Sequence, residues 1–254
     1  MAFDKIHFTA NNTEKAQAAK HRLVHIYGQV LVQEADVIVP LGGDGFMLST
    51  LHASQSLPAP VYGMHQGTVG FLMNDYAEED LPARISAAER AEIHPLKMRT
   101  LCVDGTEKEA LAINEVSMLR MGPQAAKLRI SINGQVRLES LVCDGALVST
   151  PAGSTAYNYS AHGPILPIEA NILALTAVAA FRPRRWRGAL LPMDAAISFE
   201  ILEPHKRPVA AVADSSDVKN VVRVDIGIEA SISYALLFDP GHGLEERLLN
   251  EQFQ

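Results

Sequence analysis

Ala35-Asp36-Val37-Ile38-Val39-Pro40-Leu41-Gly42-Gly43-Asp44-Gly45-Phe46-Met47-Leu48 sets the class of the N-terminal part of this chain. Ala35 to Leu41 is apolar and β-branched at its centre (Val37, Ile38, Val39), as in a strand buried on both faces of a parallel sheet. A glycine turn follows, and then Phe46, Met47, Leu48 and Leu51 recur at helical spacing. Upstream, Lys5 to Thr9 reads as a short strand. Glu14 to Tyr27 reads as a helix, with Asn11 and Asn12 as capping residues and Gly28 where a helix C-terminal glycine belongs. Downstream, Pro60 to Gly63 repeats the cycle with a further strand and a second glycine-rich turn. Alternation of this kind predicts an α/β, Rossmann-like domain with a parallel sheet over residues 1–98.

The pattern changes near Pro95 to Arg99. Thr100 to Val103 and Ala110 to Leu119 flank an Asp104-Gly105 turn. Leu128, Ile130 and Ile132 alternate with polar residues up to Asn133-Gly134, a strong hairpin signal, and Val136 and Leu138 continue beyond it. Ala196–Leu202, Val209–Ala213, Val221–Ile228 and Ala230–Phe238 keep the period of two. Residues 99–238 are therefore expected to form a mainly antiparallel β domain, a sandwich or stacked sheets. The tail 239–254, with helix-forming Leu244 to Leu249, is expected to pack back on the first domain.

The 254 residues are enough for two modest domains, and 48% hydrophobic with 20% charged residues excludes a disordered or fibrous chain. A net charge of −7 speaks against nucleic-acid and anionic-membrane partners, which attract basic surfaces. Cys102 and Cys143 are too few for a disulfide framework and read as small buried hydrophobes in a reducing compartment. The start, Met1-Ala2-Phe3-Asp4-Lys5, lacks a basic head followed by an apolar run. The most apolar stretch, Ile172 to Phe181, is shorter than the roughly 20 residues of a membrane helix. A cytoplasmic location is expected.

Three segments carry chemistry. In Gly42-Gly43-Asp44-Gly45 the glycines let backbone N–H groups approach a phosphate, helped by the helix N-terminus behind them. It is neither a Walker loop nor a G-x-G-x-x-G fingerprint. Asp44 in such a turn could accept a proton from an attacking hydroxyl, help hold Mg²⁺, or make only a local turn hydrogen bond. Asn114-Glu115 interrupts the apolar run of Leu111, Ile113 and Val116, offering the donors and acceptors a sugar diol needs, or else marking a solvent-facing sheet edge. Thr150-Pro151-Ala152-Gly153-Ser154-Thr155-Ala156-Tyr157-Asn158 combines a strand end, a glycine turn, hydroxyls and a ring suited to a base, though an ordinary loop has the same composition.

In this order, the three segments resemble the NAD kinase family. Gly63-Met64-His65-Gln66-Gly67-Thr68-Val69-Gly70-Phe71-Leu72 adds to the match, as does Asp144-Gly145 followed by Val148-Ser149-Thr150-Pro151. The resemblance runs from about residue 36 to the last strands. Gly-Gly-Asp-Gly alone is shared with lipid kinases and phosphofructokinases; Asn-Glu with Gly-Ser-Thr-Ala-Tyr narrows it. The resemblance implies transfer of the γ-phosphoryl group of ATP, with Mg²⁺ or another divalent cation, to the 2′-hydroxyl of the adenosine ribose of NAD. It implies that Asp44 is the general base and that Gly42, Gly43 and Gly45 lie beside the nucleotide phosphates. Asn114 and Glu115 would contact the NAD ribose and adenine. Ala152, Thr155, Ala156, Tyr157, Asn158, Tyr159 and Ser160 would belong to the nucleotide pocket, with Phe71 packed near it. Asp144 looks like the family's second nucleotide-binding acid, which in some members works across a subunit boundary, and a homodimer or homotetramer is implied.

The chain departs from the family pattern in places. His65 stands where Asn is usual and Gln66 where Arg is frequent, which read as tuning; Ala152 stands where Ser is common, removing one possible hydrogen bond. Asp214-Ser215-Ser216-Asp217 stands where many relatives have Asp-Gly, and no role is transferred there. The cluster Arg182, Arg184, Arg185 and Arg187 around Trp186 reads as a solvated or subunit-interface loop rather than a phosphate site. The nine histidines show no metal-ligand spacing. The rival readings are a lipid or sugar kinase, which leaves the Asn114-Glu115 and Tyr157 segments unexplained, and a non-catalytic NAD(H)-sensing module, which would be expected to lose Asp44.

Overall fold

The computed structural model describes residues 3–67, 70–184 and 186–241. The chain forms two compact units, one of Met1–Ile93 with Ile232–Gln254 and the other of His94–Ser231.

In the first unit, Ile6–Ala10, Val37–Gly42 and Met64–His65 form a parallel sheet in that order, so the fully buried Val37–Gly42 is its centre. Helix Glu14–Tyr27 covers one face. Ala16, Ala19 and Leu23, spaced one helical turn apart, share a core with Ile6, Phe8, Val37, Val39 and Leu41. Each large side chain fully buried there contributes roughly 1.5–3 kcal/mol relative to exposure. The cap is Thr13, whose Oγ1 accepts from the Ala16 N–H, rather than Asn11 or Asn12; Asn11 Oδ1 instead accepts from the Thr13 N–H and hydroxyl. Gly28 ends the helix as expected, its N–H donating to Val24 O. Pro60 to Gly63 is not a continuous strand. Val61 makes single bridges to Ile38 and Leu236, and the regular strand begins at Met64.

Glu89–Ile93 pairs antiparallel with Tyr234–Phe238 inside this same unit. The alternation of Ala230 to Phe238 suggests a strand of the β domain, and the structure corrects this. A period of two reports a strand but not its partner, and here the partner lies far away in sequence. The expected helix at Leu244 to Leu249 lies outside the described residues.

The second unit consists of two antiparallel six-stranded sheets. One runs Gly188–Pro192, Ile172–Val178, Gly145–Ser149, Glu115–Arg120, Val209–Ala213, Ser216–Val218. The other runs Glu107–Ala112, Leu96–Cys102, Val221–Ile228, Ile197–Ile201, Ala126–Ile132, Gln135–Cys143. Val116, Met118, Val148 and Leu173 of the first share one core with Leu96, Met98, Leu128, Phe199 and Val224 of the second, which makes the unit a sandwich. Asn133 and Gly134, at φ 52° and 75°, close the expected hairpin. Cys102 and Cys143 are both free and buried.

One expected strand is broken. The pattern of Ala110 to Leu119 reads as continuous, yet Glu107–Ala112 belongs to one sheet and Glu115–Arg120 to the other, and the chain crosses between them at Ile113-Asn114. The apolar alternation runs through the crossing because both strands face the same core. Ile172–Val178, the most apolar segment, is a strand, and among the described residues no helix is long and apolar enough to cross a membrane.

Candidate active site

The glycine turn joins the buried strand Val37–Gly42 to the helix Asp44–Ala53. Gly43 occupies the cap position, and among the described residues no side chain caps the helix. The Phe46 N–H already donates to Gly43 O, so the Asp44 and Gly45 N–H groups and the positive end of the dipole are what the helix offers an anion. A Cβ built on Gly43 or on Gly45 would meet nothing within 4 Å, so the turn opens onto free space.

Asp44 does not cap its own helix. Its Oδ2 accepts the Phe71 N–H at 2.8 Å and its Oδ1 the Leu72 N–H at 3.0 Å. Both oxygens are fixed, and each keeps a second lone pair. Gly70 permits this approach, because a Cβ there would stand 2.5 Å from Asp44 Oδ1. The expected contribution of Phe71 is its ring; the structure adds its backbone N–H.

The loop that holds Asp44 is itself pinned by residues the sequence does not single out. Asn74, fully buried, donates from Nδ2 to Gly63 O and Leu237 O and accepts from the Asp239 N–H. The Asp239 carboxylate accepts from Tyr62 Oη and from Arg84. Only the contrast of Asn74 with its apolar neighbours Phe71, Leu72 and Met73 could have drawn attention to it.

In the β unit, Asn114 stands in the bend between the sheets and Glu115 opens the strand that follows. Thr150 takes the bend's carbonyls, Oγ1 donating to Ile113 O at 2.7 Å and N–H to Asn114 O at 2.9 Å. Asp214 takes its N–H groups, Oδ2 accepting from Ile113 at 2.7 Å and Oδ1 from Asn114 at 3.0 Å. The backbone is satisfied while the side chains are not. Asn114 Oδ1 and Glu115 Oε2 are buried and have no hydrogen-bond donor among the described residues. Burial, and next the charge of Asp214, push the Glu115 carboxyl up to about 7.

The segment Pro151 to Ser160 folds as two short helical turns, Ala152–Thr155 and Tyr157–Ser160. It lies directly against the bend: a Cβ on Gly153 would stand 2.2 Å from Asn114 O. Asn158 is fully buried and consumed by the protein, donating to Ser154 O and Pro164 O and accepting from Thr176 Oγ1. Its side chain shapes the segment rather than presenting a free group. Thr155, Ala156 and Tyr157 are partly exposed, Ala152 is buried, and Tyr159 and Ser160 face outward. Burial, then the charges of Glu115 and Asp144, raise the Tyr157 phenol, which places its hydroxyl in the field of both carboxylates. Asp144 lies between the strands Gln135–Cys143 and Gly145–Ser149 and is ion-paired with Arg120. In the arginine cluster, Arg182 and Arg184 stack over the exposed Phe181 ring at 5.4 and 5.6 Å. Arg185 lies outside the described residues.

A family model for the ATP-NAD kinase C-terminal domain matches residues 113–236, from the Asn114 bend through the Asp214 turn to Leu236. A NAD kinase of Cereibacter sphaeroides is 60% identical over 253 residues, covering 100% of both chains. One of Caulobacter vibrioides is 57% identical, covering 98% of this chain and 96% of that one. Among solved structures, yeast NADH kinase complexed with NADH superposes with a TM-score of 0.82 at 19% identity, covering 100% of this chain and 88% of that one. A NAD kinase from Archaeoglobus fulgidus in complex with ATP gives 0.77 at 21%, covering 97% and 98%. At those identities the two structures speak for the fold, whereas the full-length relatives speak for the family. This chain belongs to the NAD kinase family.

Proposed function

We propose that the chain transfers the γ-phosphoryl group of ATP to the 2′-hydroxyl of the adenosine ribose of NAD, yielding NADP and ADP. One observation carries the reading: Asn114 and Glu115, adjacent in sequence, each bury an acceptor oxygen that lacks a donor. A buried acceptor without a partner is unfavourable by roughly 1–3 kcal/mol, and the hydroxyls of NAD other than the attacking 2′-hydroxyl bring the missing O–H donors. Tyr157 supplies a ring for the base beside them.

Asp44 is assigned the proton. As the ribose oxygen forms its bond to the γ-phosphorus, the bond from that phosphorus to the β-bridging oxygen breaks, ADP departs, and the hydroxyl proton passes to the Asp44 carboxylate. The two backbone N–H bonds keep that carboxylate in one orientation throughout. The uncapped helix end and the open glycine turn receive phosphate oxygens. Among the described residues no group of three or more His, Cys, Asp or Glu could hold a metal ion. A divalent cation carried by the ATP phosphates would fit this, because Mg²⁺ at such sites takes few protein ligands and Asp44 would keep its carboxylate for the proton. When bound, it neutralises phosphate charge.

The test is direct. The purified chain with NAD and ATP–Mg²⁺ should form NADP; binding of NAD without product would refute the assignment. The acidic charge and the lack of a long apolar helix among the described residues support a cytoplasmic setting. The nine-residue edge strand Gln135–Cys143 of the β unit supports a homo-oligomer, which light scattering checks.

A further inference from the structure

Resting on the reading above, we infer that Asp214 is a positioning residue for the acceptor nucleotide: it takes over the backbone N–H groups of the Ile113-Asn114 bend and so leaves the side-chain acceptors of Asn114 and Glu115 to the ribose.

Where the chain leaves one sheet for the other, its N–H groups lose their ladder partners. An Asn at such a bend ordinarily turns its own Oδ1 onto nearby backbone N–H groups. Here it does not, because those positions are filled from elsewhere. Asp214 Oδ2 accepts from Ile113 at 2.7 Å and Oδ1 from Asn114 at 3.0 Å, and the Asp214 N–H donates to Glu115 O at 3.3 Å. Three hydrogen bonds thus join one turn residue to three consecutive residues of the bend. With Thr150 on the carbonyl side, the backbone needs nothing from Asn114 Oδ1, which is left buried without a donor.

Two features of Asp214 are unfavourable by themselves. It sits at φ 48°, a left-handed conformation that most non-glycine residues avoid. It also sets a carboxylate beside the buried Glu115, whose carboxyl it helps to push up to about 7. The charged group that acts on Glu115 is Asp214, from the turn after Val209–Ala213, and Glu115 acts on Tyr157, from the turn Tyr157–Ser160. Asp144 acts on Tyr157 in turn. Asp214 is therefore the carboxylate whose removal should be felt at Glu115.

Calorimetric titration of NAD into the wild-type chain, Asp214→Asn and Asp214→Glu from about pH 5.5 to about pH 8.5 tests this. Wild-type affinity should rise with pH through about 7, as Glu115 ionises and becomes the stronger acceptor. Asp214→Asn keeps one acceptor oxygen but loses the charge. It should bind NAD about tenfold more weakly, with its midpoint moved to lower pH. Asp214→Glu keeps the charge but displaces it by one methylene. It should lose about tenfold in affinity with the midpoint unmoved, and it decides the matter alone if Asp214→Asn does not fold. A purely structural role would lower the stability of the variants and leave their NAD affinity at the wild-type value. Wild-type affinity in Asp214→Glu, or an unmoved midpoint in a folded Asp214→Asn, overturns the inference and leaves the NAD kinase reading standing. A wild-type chain that neither binds NAD nor forms NADP removes both.

Discussion

Asp44 and Glu115 are two carboxylates treated in opposite ways by the same chain. Asp44, in the glycine turn of the α/β unit, has each oxygen held by a backbone N–H, from Phe71 and Leu72. Glu115, in the β unit, has Oε2 buried without a donor and a second carboxylate, Asp214, beside it. The protein satisfies the first before any ligand arrives and leaves the second unsatisfied. A group that must take a proton in one geometry works better when it is already held there, since reorganisation during the reaction raises the barrier. A group that must recognise hydroxyls gains from being left without partners, since only the right donors relieve its burial. On the proposed function, the contrast separates a chemical carboxylate from a recognition carboxylate.

Removing the chemistry from Asp44 without moving it should give the largest effect. Asp44→Asn retains an oxygen for one backbone N–H but cannot take the ribose proton. General-base assistance is worth about 10²–10⁴-fold, so kcat should fall at least about a hundredfold while NAD still binds. Single-turnover kinetics with calorimetry on the same preparation separates the two quantities. A near-normal kcat would reduce Asp44 to a turn residue, and loss of NAD binding would make its role positional.

Moving Asp44 without changing its chemistry should give a smaller loss. A methyl group on Gly70 would stand 2.5 Å from Asp44 Oδ1, so Gly70→Ala must displace the carboxylate or the loop. Displacements of about 1 Å at a reacting group cost up to about a hundredfold. Gly70→Ala should lose roughly tenfold or more in kcat with NAD affinity unchanged. An unchanged kcat would show that the Phe71 and Leu72 clamp is not needed for turnover.

The parts of this site that sequence reading reached and missed divide along the same line. Gly42 to Gly45, Asn114-Glu115 and Thr155 to Tyr157 were legible because each places a polar or glycine-rich string against an apolar strand pattern, a local contrast. Asp214 and Asn74 were not, because what makes them matter is a partner about a hundred or more residues away, Ile113 for one and Leu237 for the other. The break at Ile113-Asn114 was missed for a related reason: two strands in different sheets that face one core show the same alternation as a single strand. Likewise Tyr234–Phe238 announces itself as a strand, but nothing local assigns it to Glu89–Ile93. Local patterning names elements and motifs; long-range hydrogen bonds decide how they are held.

The smallest effect belongs to Glu115 and concerns stability without ligand. Its carboxyl is raised in the folded chain from an ordinary 4.5 to about 7, by burial first and by Asp214 second. Between those values the folded state holds a proton that the unfolded state has released. Stability therefore falls as pH rises through the window from about 4.5 to about 7, and stays lowered above it. Glu115→Gln has nothing to ionise there, so its stability should lack this decline while all other titrating groups cancel in the comparison. The difference should amount to roughly 1–3 kcal/mol, which for a chain of this size is several degrees in Tm. Thermal denaturation of wild type and Glu115→Gln at about pH 5 and about pH 8 measures it, and the variant should gain on the wild type only at the higher pH. Saturating NAD should reverse the order, because ribose hydroxyls donating to Glu115 favour its ionised form and a glutamine is the weaker acceptor. Parallel pH profiles for the two proteins would mean that Glu115 is already satisfied in the free chain, and the contrast with Asp44 would then collapse.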